Sequence, residues 1–212
     1  NYLAHGYMGI PISITVEGAN ILTRNLMIFG QGATRCHPYV LAELEAAANP
    51  DAEQGLKQFD SLLLKHIGFA MGNTFGALWQ GLTAGAFNTA PVSGETAKYY
   101  KQLSRMSRGL ALSADFSMLI LGGELKRREM LSARLGDVLS QLYIASAVLK
   151  FYEDNGRQQC DLPFVHYSVQ RALFEIGRAF DGFFANFPNR FVAGLLRILV
   201  FPFGIGYKMP DD

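Results

Sequence analysis

One short segment of the sequence places a carboxylate where chemistry could occur. Glu17 is followed by Gly18 and Ala19, and Asn20 is a good N-cap for a helix that begins there. The glycine leaves space for a ligand to approach, and the free N–H groups of a helix N terminus can meet an anionic or polar group. From spacing alone, however, a surface glutamate that favours the helix dipole is the more common case.

The composition describes a globular chain without marked charge. Of the 212 residues, 50% are hydrophobic, and 19 basic residues are balanced by 18 acidic ones. This predicts a packed core instead of disorder and gives no indication of nucleic-acid binding. Cys36 and Cys160 lie far apart, which fits a reducing cytoplasm. The histidines lack metal-ligand spacing and HExxH is absent, so the sequence predicts no metal site.

Turns and apolar patterns divide the chain into two parts. Residues 1–16 are rich in loop-forming residues, and the alternation in residues 12–16 predicts an extended segment. Asn49-Pro50-Asp51 is the clearest boundary, and every segment beyond it has a helical pattern. The expected fold is therefore all-α. Residues 1–50 would end one domain, and residues 51–212 would form a helical bundle with antiparallel neighbours.

The helices beyond the boundary have buried faces that follow from their spacing. Ser93 and Asp161 predict two helix starts, and Gly122-Gly123 interrupts the pattern between them. The central seam repeats every three or four residues and comprises Leu131, Leu135, Val138, Leu142, Ala145 and Leu149. The buried stripe of the next helix comprises Val165, Val169, Leu173, Ile176, Phe180, Phe183 and Phe187.

Residues 67–87 carry no charge over a length that could span a bilayer. Their polar residues and glycines favour a buried helix of a soluble bundle over a membrane span. Gly68, Gly72 and Gly76 recur every four residues and form a ridge that lets two helices approach closely.

The apolar stretch of residues 191–203 has two equally good interpretations, an interfacial helix or a core helix of the bundle. In the first, Arg190 and Arg197 would share one polar face and reach anionic headgroups. The side chains expected to face acyl chains are then Leu195, Leu196, Leu199, Val200 and Phe203.

The segment around Glu17 also matches a longer motif. Glu17-Gly18 and a small residue, followed by Asn20 and Arg24, resemble the Glu-Gly-Thr and Asn-x-x-x-Arg motifs of acyl-CoA dehydrogenases. The large bacterial members that act in fatty-acid β-oxidation are similar over nearly the whole chain. The segments that carry this similarity are 14–24, 28–33, 35–40, 121–129, 133–140 and 186–190.

The resemblance implies a domain assignment and a reaction. Residues 1–50 would end the catalytic helical domain, and residues 51–212 would be the C-terminal helical extension. In the family, a glutamate removes the proton next to the thioester carbonyl, hydride passes from the β-carbon to FAD, and trans-2-enoyl-CoA forms. Glu17 matches that base, and its backbone N–H would bind the thioester oxygen. The positions expected to bind substrate or cofactor are Gly18, Ala19, Asn20 and Arg24.

Ala19 departs from the family because it replaces the usual threonine, so a hydroxyl contact to the cofactor is lost. The family's flavin-binding β-domain would precede this chain, which is therefore expected to be a fragment that is inactive alone. The implied enzyme acts on medium- to long-chain acyl-CoA, with an electron-transfer acceptor as partner, in a homo-oligomer. It would be cytoplasmic, with peripheral attachment to the inner membrane as an option. The alternative is a non-catalytic helical module that docks on a membrane or partner protein.

Overall fold

The computed structural model describes residues 2–16 and 31–211. Within these ranges the chain is helical and contains no strand, as the predicted all-α fold class requires. A 3₁₀ helix, Gly122–Lys126, connects two of the long helices. The α-helices are α1 (Tyr2–Val16), α2 (Gly32–Arg35), α3 (Val40–Ala47), α4 (Ala52–Leu82), α5 (Ala97–Leu121), α6 (Glu129–Asp154), α7 (Leu162–Asn186) and α8 (Arg190–Val200).

Helix α1 corrects the prediction of a loop-rich start with an extended segment. Residues 12–16 continue the helix, and Pro11 lies inside it. An alternation over so few residues cannot separate a strand from a helix. A strand also needs a partner for its backbone groups, and the described part of the chain offers none, whereas a helix satisfies those groups locally.

The predicted helix starts have mixed outcomes. Asp51 caps α4, because its Oδ1 accepts hydrogen bonds from the backbone N–H of Glu53 and of Gln54, both at 3.1 Å. The start predicted at Ser93 is wrong, since α5 begins only at Ala97. Gly94 has a φ of +99°, which makes a turn before the helix. Asp161 precedes α7 as predicted, but its side chain makes no capping hydrogen bond.

Both predicted seams are buried and form the core. Helix α6 packs against α7 along its length and against α5 on another side. The six seam residues of α6 and the seven stripe residues of α7 are all among the buried hydrophobic side chains. The C terminus of α5 is set by Gly122, whose φ of +50° is uncommon for other residues. Antiparallel neighbours with a shared apolar seam therefore arise as the spacing predicts.

The outward face of α4 contradicts the prediction of a buried helix over residues 67–87. Helix α4 packs on α3, α5 and α8 with its other side. No atom lies within 4 Å of the position that a Cβ on Gly68 or Gly72 would occupy, so no described helix packs on that part of the glycine ridge. The described residues contain no helix long and apolar enough to cross a membrane. The exposed apolar side chains of this stretch, named here the α4 stripe, are Ile67, Met71, Phe75, Trp79, Leu82 and Phe87.

Helix α8 is a core helix, so the prediction that five of the side chains in residues 191–203 face acyl chains is wrong for three of them. Leu196, Leu199 and Val200 are buried against the bundle, while Leu195 and Phe203 are exposed as expected. Both arginines donate hydrogen bonds to residues of the bundle instead of extending toward lipid headgroups. Arg190 Nη1 donates to the Ala185 carbonyl at 2.7 Å, and Arg197 Nη2 donates to Asp181 Oδ1 at 2.7 Å. Apolar residues on both faces of α8 explain why periodicity left this choice open.

Candidate functional site

The residues predicted to carry chemistry lie outside the described part of the chain. These are the proposed base Glu17 and the proposed binding residues Gly18, Ala19, Asn20 and Arg24. Their roles stay predictions. Further along the chain, polar residues of the turn before α3 meet α4 and α5.

A polar cluster joins α3 and its preceding turn to α4 and α5. His37 Nε2 lies 2.9 Å from Asp115 Oδ1, and His66 Nδ1 lies 2.8 Å from Glu43 Oε1. The two imidazole rings are 4.7 Å apart between centroids. We call His37, Glu43, His66 and Asp115 the His37 cluster. It links three elements through hydrogen bonds between side chains that are largely removed from solvent.

Backbone hydrogen bonds determine the tautomer of a neutral His37 ring. Its Nδ1 accepts hydrogen bonds from the backbone N–H groups of Tyr39, at 3.2 Å, and Val40, at 3.1 Å. A neutral imidazole that accepts at one nitrogen carries its proton on the other. The Nε2–H of His37 therefore donates to Asp115, and the ring holds the start of α3 in place.

Two histidines and a carboxylate also form a donor set that suits several metals. The candidate ligand atoms of His37, His66 and Asp115 all lie within 4.8 Å of one another. This grouping could not be predicted from the sequence because the three residues are far apart in the chain. The hydrogen bonds argue against a metal, however, because Nε2 of His37 has no lone pair to give while Nδ1 accepts. Metal-binding histidines normally donate from the second nitrogen. The cluster is better explained as a structural connection.

Within the cluster, the carboxyl group of Asp115 has a shifted pKa. Burial raises the pKa of its carboxyl above the usual value, and the nearby His37, His66 and Asn73 counteract this only in part. A raised pKa in the folded state means that the charged form is disfavoured there. The contribution of Asp115 to the free energy of unfolding is therefore highest at low pH, where the carboxyl is protonated. That contribution is lost as the pH rises through the raised pKa of the folded state.

Asp115→Asn should remove this pH-dependent cost. The amide oxygen can still accept from His37 Nε2–H, and no buried charge remains. We expect the melting temperature of the variant to gain on the wild type as pH rises from about pH 4 to about pH 7. Asp115→Ala is the control, because it leaves the His37 donor unpaired and should cost about 1–3 kcal/mol. Equal destabilisation in both variants would contradict this account.

One groove of the described residues ends at a helix N terminus, a place where FAD phosphates could bind. The α3–α4 groove, lined in part by Asn49, Ala52 and Gly55, reaches the N terminus of α4. Helix N termini commonly hold the phosphates of dinucleotides. Here the Asp51 carboxylate already accepts from the first free N–H groups of α4, so a phosphate would meet a like charge. The α3–α4 groove is therefore poorly suited to a dinucleotide phosphate.

Comparison with known proteins identifies the family. The family model described as "Acyl-CoA dehydrogenase, C-terminal, bacterial type" matches residues 34–212, which is most of the chain. No solved structure matches it. The match agrees with the helical fold and with the resemblance carried by the sequence motifs. It spans the boundary predicted at residue 50, and the division into two domains stays a prediction. The chain belongs to the bacterial-type acyl-CoA dehydrogenase C-terminal family.

Proposed function

We propose that this chain belongs to an enzyme that oxidises medium- to long-chain acyl-CoA to trans-2-enoyl-CoA with FAD. This reaction is the first step of fatty-acid β-oxidation. The family match over residues 34–212 carries the proposal, because it makes an oxidoreductase the expected class. The Glu-Gly motif directly upstream supports the reaction type.

In this proposal, Glu17 removes the proton next to the thioester carbonyl. Its backbone N–H donates to the thioester oxygen, where negative charge develops. Gly18 leaves space for the substrate, and Ala19, Asn20 and Arg24 lie along the substrate or cofactor. FAD, when bound to the longer enzyme, supplies the acceptor for the β-hydride.

The test is the reaction of the full-length enzyme, without oxygen, with acyl-CoAs of short, medium and long chains. Medium and long substrates should bleach the flavin absorbance and yield trans-2-enoyl-CoA. A matched acyl-CoA that carries two methyl groups in place of its α-hydrogens should leave the flavin oxidised. If no acyl-CoA reduces the flavin, the proposed reaction is wrong.

A second proposal is that these helices attach the enzyme to the cytoplasmic face of the inner membrane. The exposed side chains of the α4 stripe support this proposal, whereas most of the side chains of α8 that were predicted to face the membrane are buried in the core. A contiguous exposed apolar surface commonly marks an interaction site. A non-catalytic docking module would use the same surface. Homo-oligomer formation and the electron-transfer acceptor are further proposals for the full-length enzyme.

A further inference from the structure

A groove between α5 and α6, bordered by α4, has a volume of about 610 Å³. This lies within the range of roughly 300–1,000 Å³ that is typical of small-molecule sites. Its lining combines leucines from both helices with a few polar side chains from α5. Among the described residues that line it, none is a carboxylate and Arg108 carries the charge.

Arg108 is half-buried, yet it forms no hydrogen bond or ion pair with any residue in the described ranges. Arg105, one turn earlier, differs because its Nη2 donates to the Val200 carbonyl at 2.9 Å and its guanidinium lies over the Phe201 ring, although its Nε has no partner among the described residues. A partly desolvated guanidinium without an acceptor is costly. The groove therefore presents a positive charge and five N–H donors without a protein partner.

The neighbouring helix makes room for this guanidinium. Arg108 Nη1 lies 1.7 Å from the position that a Cβ on Gly76 would occupy. The absence of a side chain at Gly76 thus lets Arg108 extend across α4. Ser104 precedes Arg108 by four residues and therefore lies on the same face of α5. Ser107 also lines the groove. Their hydroxyls add two donors beside the guanidinium.

The remaining lining of the groove is mainly apolar, with Asn73, Tyr100 and Ser146 as further polar residues. Leu103 and Leu142 form its buried floor, Leu139 lies beside them, and the Tyr143 ring is 76% exposed at its edge. The single positive charge suits a monoanion, and the planar guanidinium matches a carboxylate through two parallel hydrogen bonds. We propose that this groove binds a fatty-acid anion, with its carboxylate on Arg108 and its hydrocarbon chain between α5 and α6. Such binding requires neither Glu17 nor the flavin, so it goes beyond the proposed dehydrogenation.

Calorimetric titration of the protein with dodecanoate, kept below its micelle concentration, tests this site. One molecule should bind per chain. Arg108→Gln should weaken binding about 10- to 100-fold, the range expected for a lost charged hydrogen bond. The matched control is Arg171→Gln, an exposed arginine of α7, which should change affinity less than about twofold. Ser107→Trp should also block binding, by filling the groove from an exposed position.

Three comparison ligands test which part of the fatty-acid anion the groove recognises. Dodecanol has the chain without the charge, inorganic phosphate has charge without the chain, and vesicles with anionic lipid present headgroups on a surface. Each should bind more weakly than dodecanoate or without dependence on Arg108. Equal weakening by Arg108→Gln and Arg171→Gln would overturn the site, and so would dodecanol or phosphate binding as tightly as dodecanoate. If only vesicles bind in an Arg108-dependent way, the ligand is a lipid headgroup and the fatty-acid proposal is wrong.

Circular dichroism melting of each variant excludes unfolding as the cause of weaker binding. Arg108→Lys, which keeps the charge, should retain part of the affinity.

Discussion

Replacing both Leu196 and Leu199 with serine is expected to unfold the bundle. The two side chains are 0% and 7% exposed, and they lie on the face of α8 that packs on the core. Truncating one buried leucine typically costs about 2–5 kcal/mol, and each serine adds a hydroxyl that needs a partner. Two such losses approach the whole stability of a typical domain, which is about 5–15 kcal/mol. Circular dichroism should show no cooperative thermal transition, or one that is lowered by tens of degrees.

The outer face of the same helix provides a matched control. Leu195 and Ile198 are exposed, so serine at both positions should leave the transition nearly unchanged. Sedimentation with anionic vesicles then tests membrane attachment separately. Wild-type protein and the outer-face variant should pellet, whereas Phe75→Glu in the α4 stripe should stay in solution. A folded Leu196→Ser, Leu199→Ser variant that only loses vesicle binding would show that α8 is interfacial after all.

The bundle could be predicted because its helical spacing is a local property of the sequence. Leu131 to Leu149 repeats at intervals that only one helix face can satisfy, and the structure buries that face. The burial of α4 could not be judged in the same way. An uncharged segment indicates burial only if a neighbour covers it, and nothing in the described ranges covers the α4 stripe. Neighbours are a tertiary property that local spacing does not encode.

The same distinction between local and tertiary properties applies to the polar sites. Glu17 was predicted as the base from a contiguous motif, and it lies outside the described residues. His37, His66 and Asp115 come together only because α4 and α5 fold back on the turn before α3. Arg108 looks like an ordinary charged position in the sequence. Its significance depends on the small residue opposite, Gly76, and on a groove whose described lining residues include no carboxylate.

In the full-length enzyme, Glu17→Gln is expected to abolish dehydrogenation while leaving the fold and the flavin spectrum intact. Glutamine has nearly the same shape as glutamate, and its backbone N–H is retained for the thioester oxygen. It cannot accept the α-proton, however. Loss of a general base typically costs about 10²–10⁴-fold, and the loss here should reach or exceed that range because the motif supplies no second base. Stopped-flow measurement of flavin reduction gives the rate directly.

Exchange of the α-proton with deuterated solvent separates proton removal from hydride transfer. In the wild-type enzyme, a bound substrate analogue that cannot lose its β-hydride should still exchange its α-proton, and Glu17→Gln should stop that exchange. Glu45→Gln provides the control, because Glu45 is an exposed carboxylate of α3 whose loss should affect neither rate. Flavin reduction by Glu17→Gln within tenfold of the wild-type rate would mean that another residue is the base. In that case the Glu17-Gly18 segment would keep only the role its spacing first suggested, a surface carboxylate at the start of a helix.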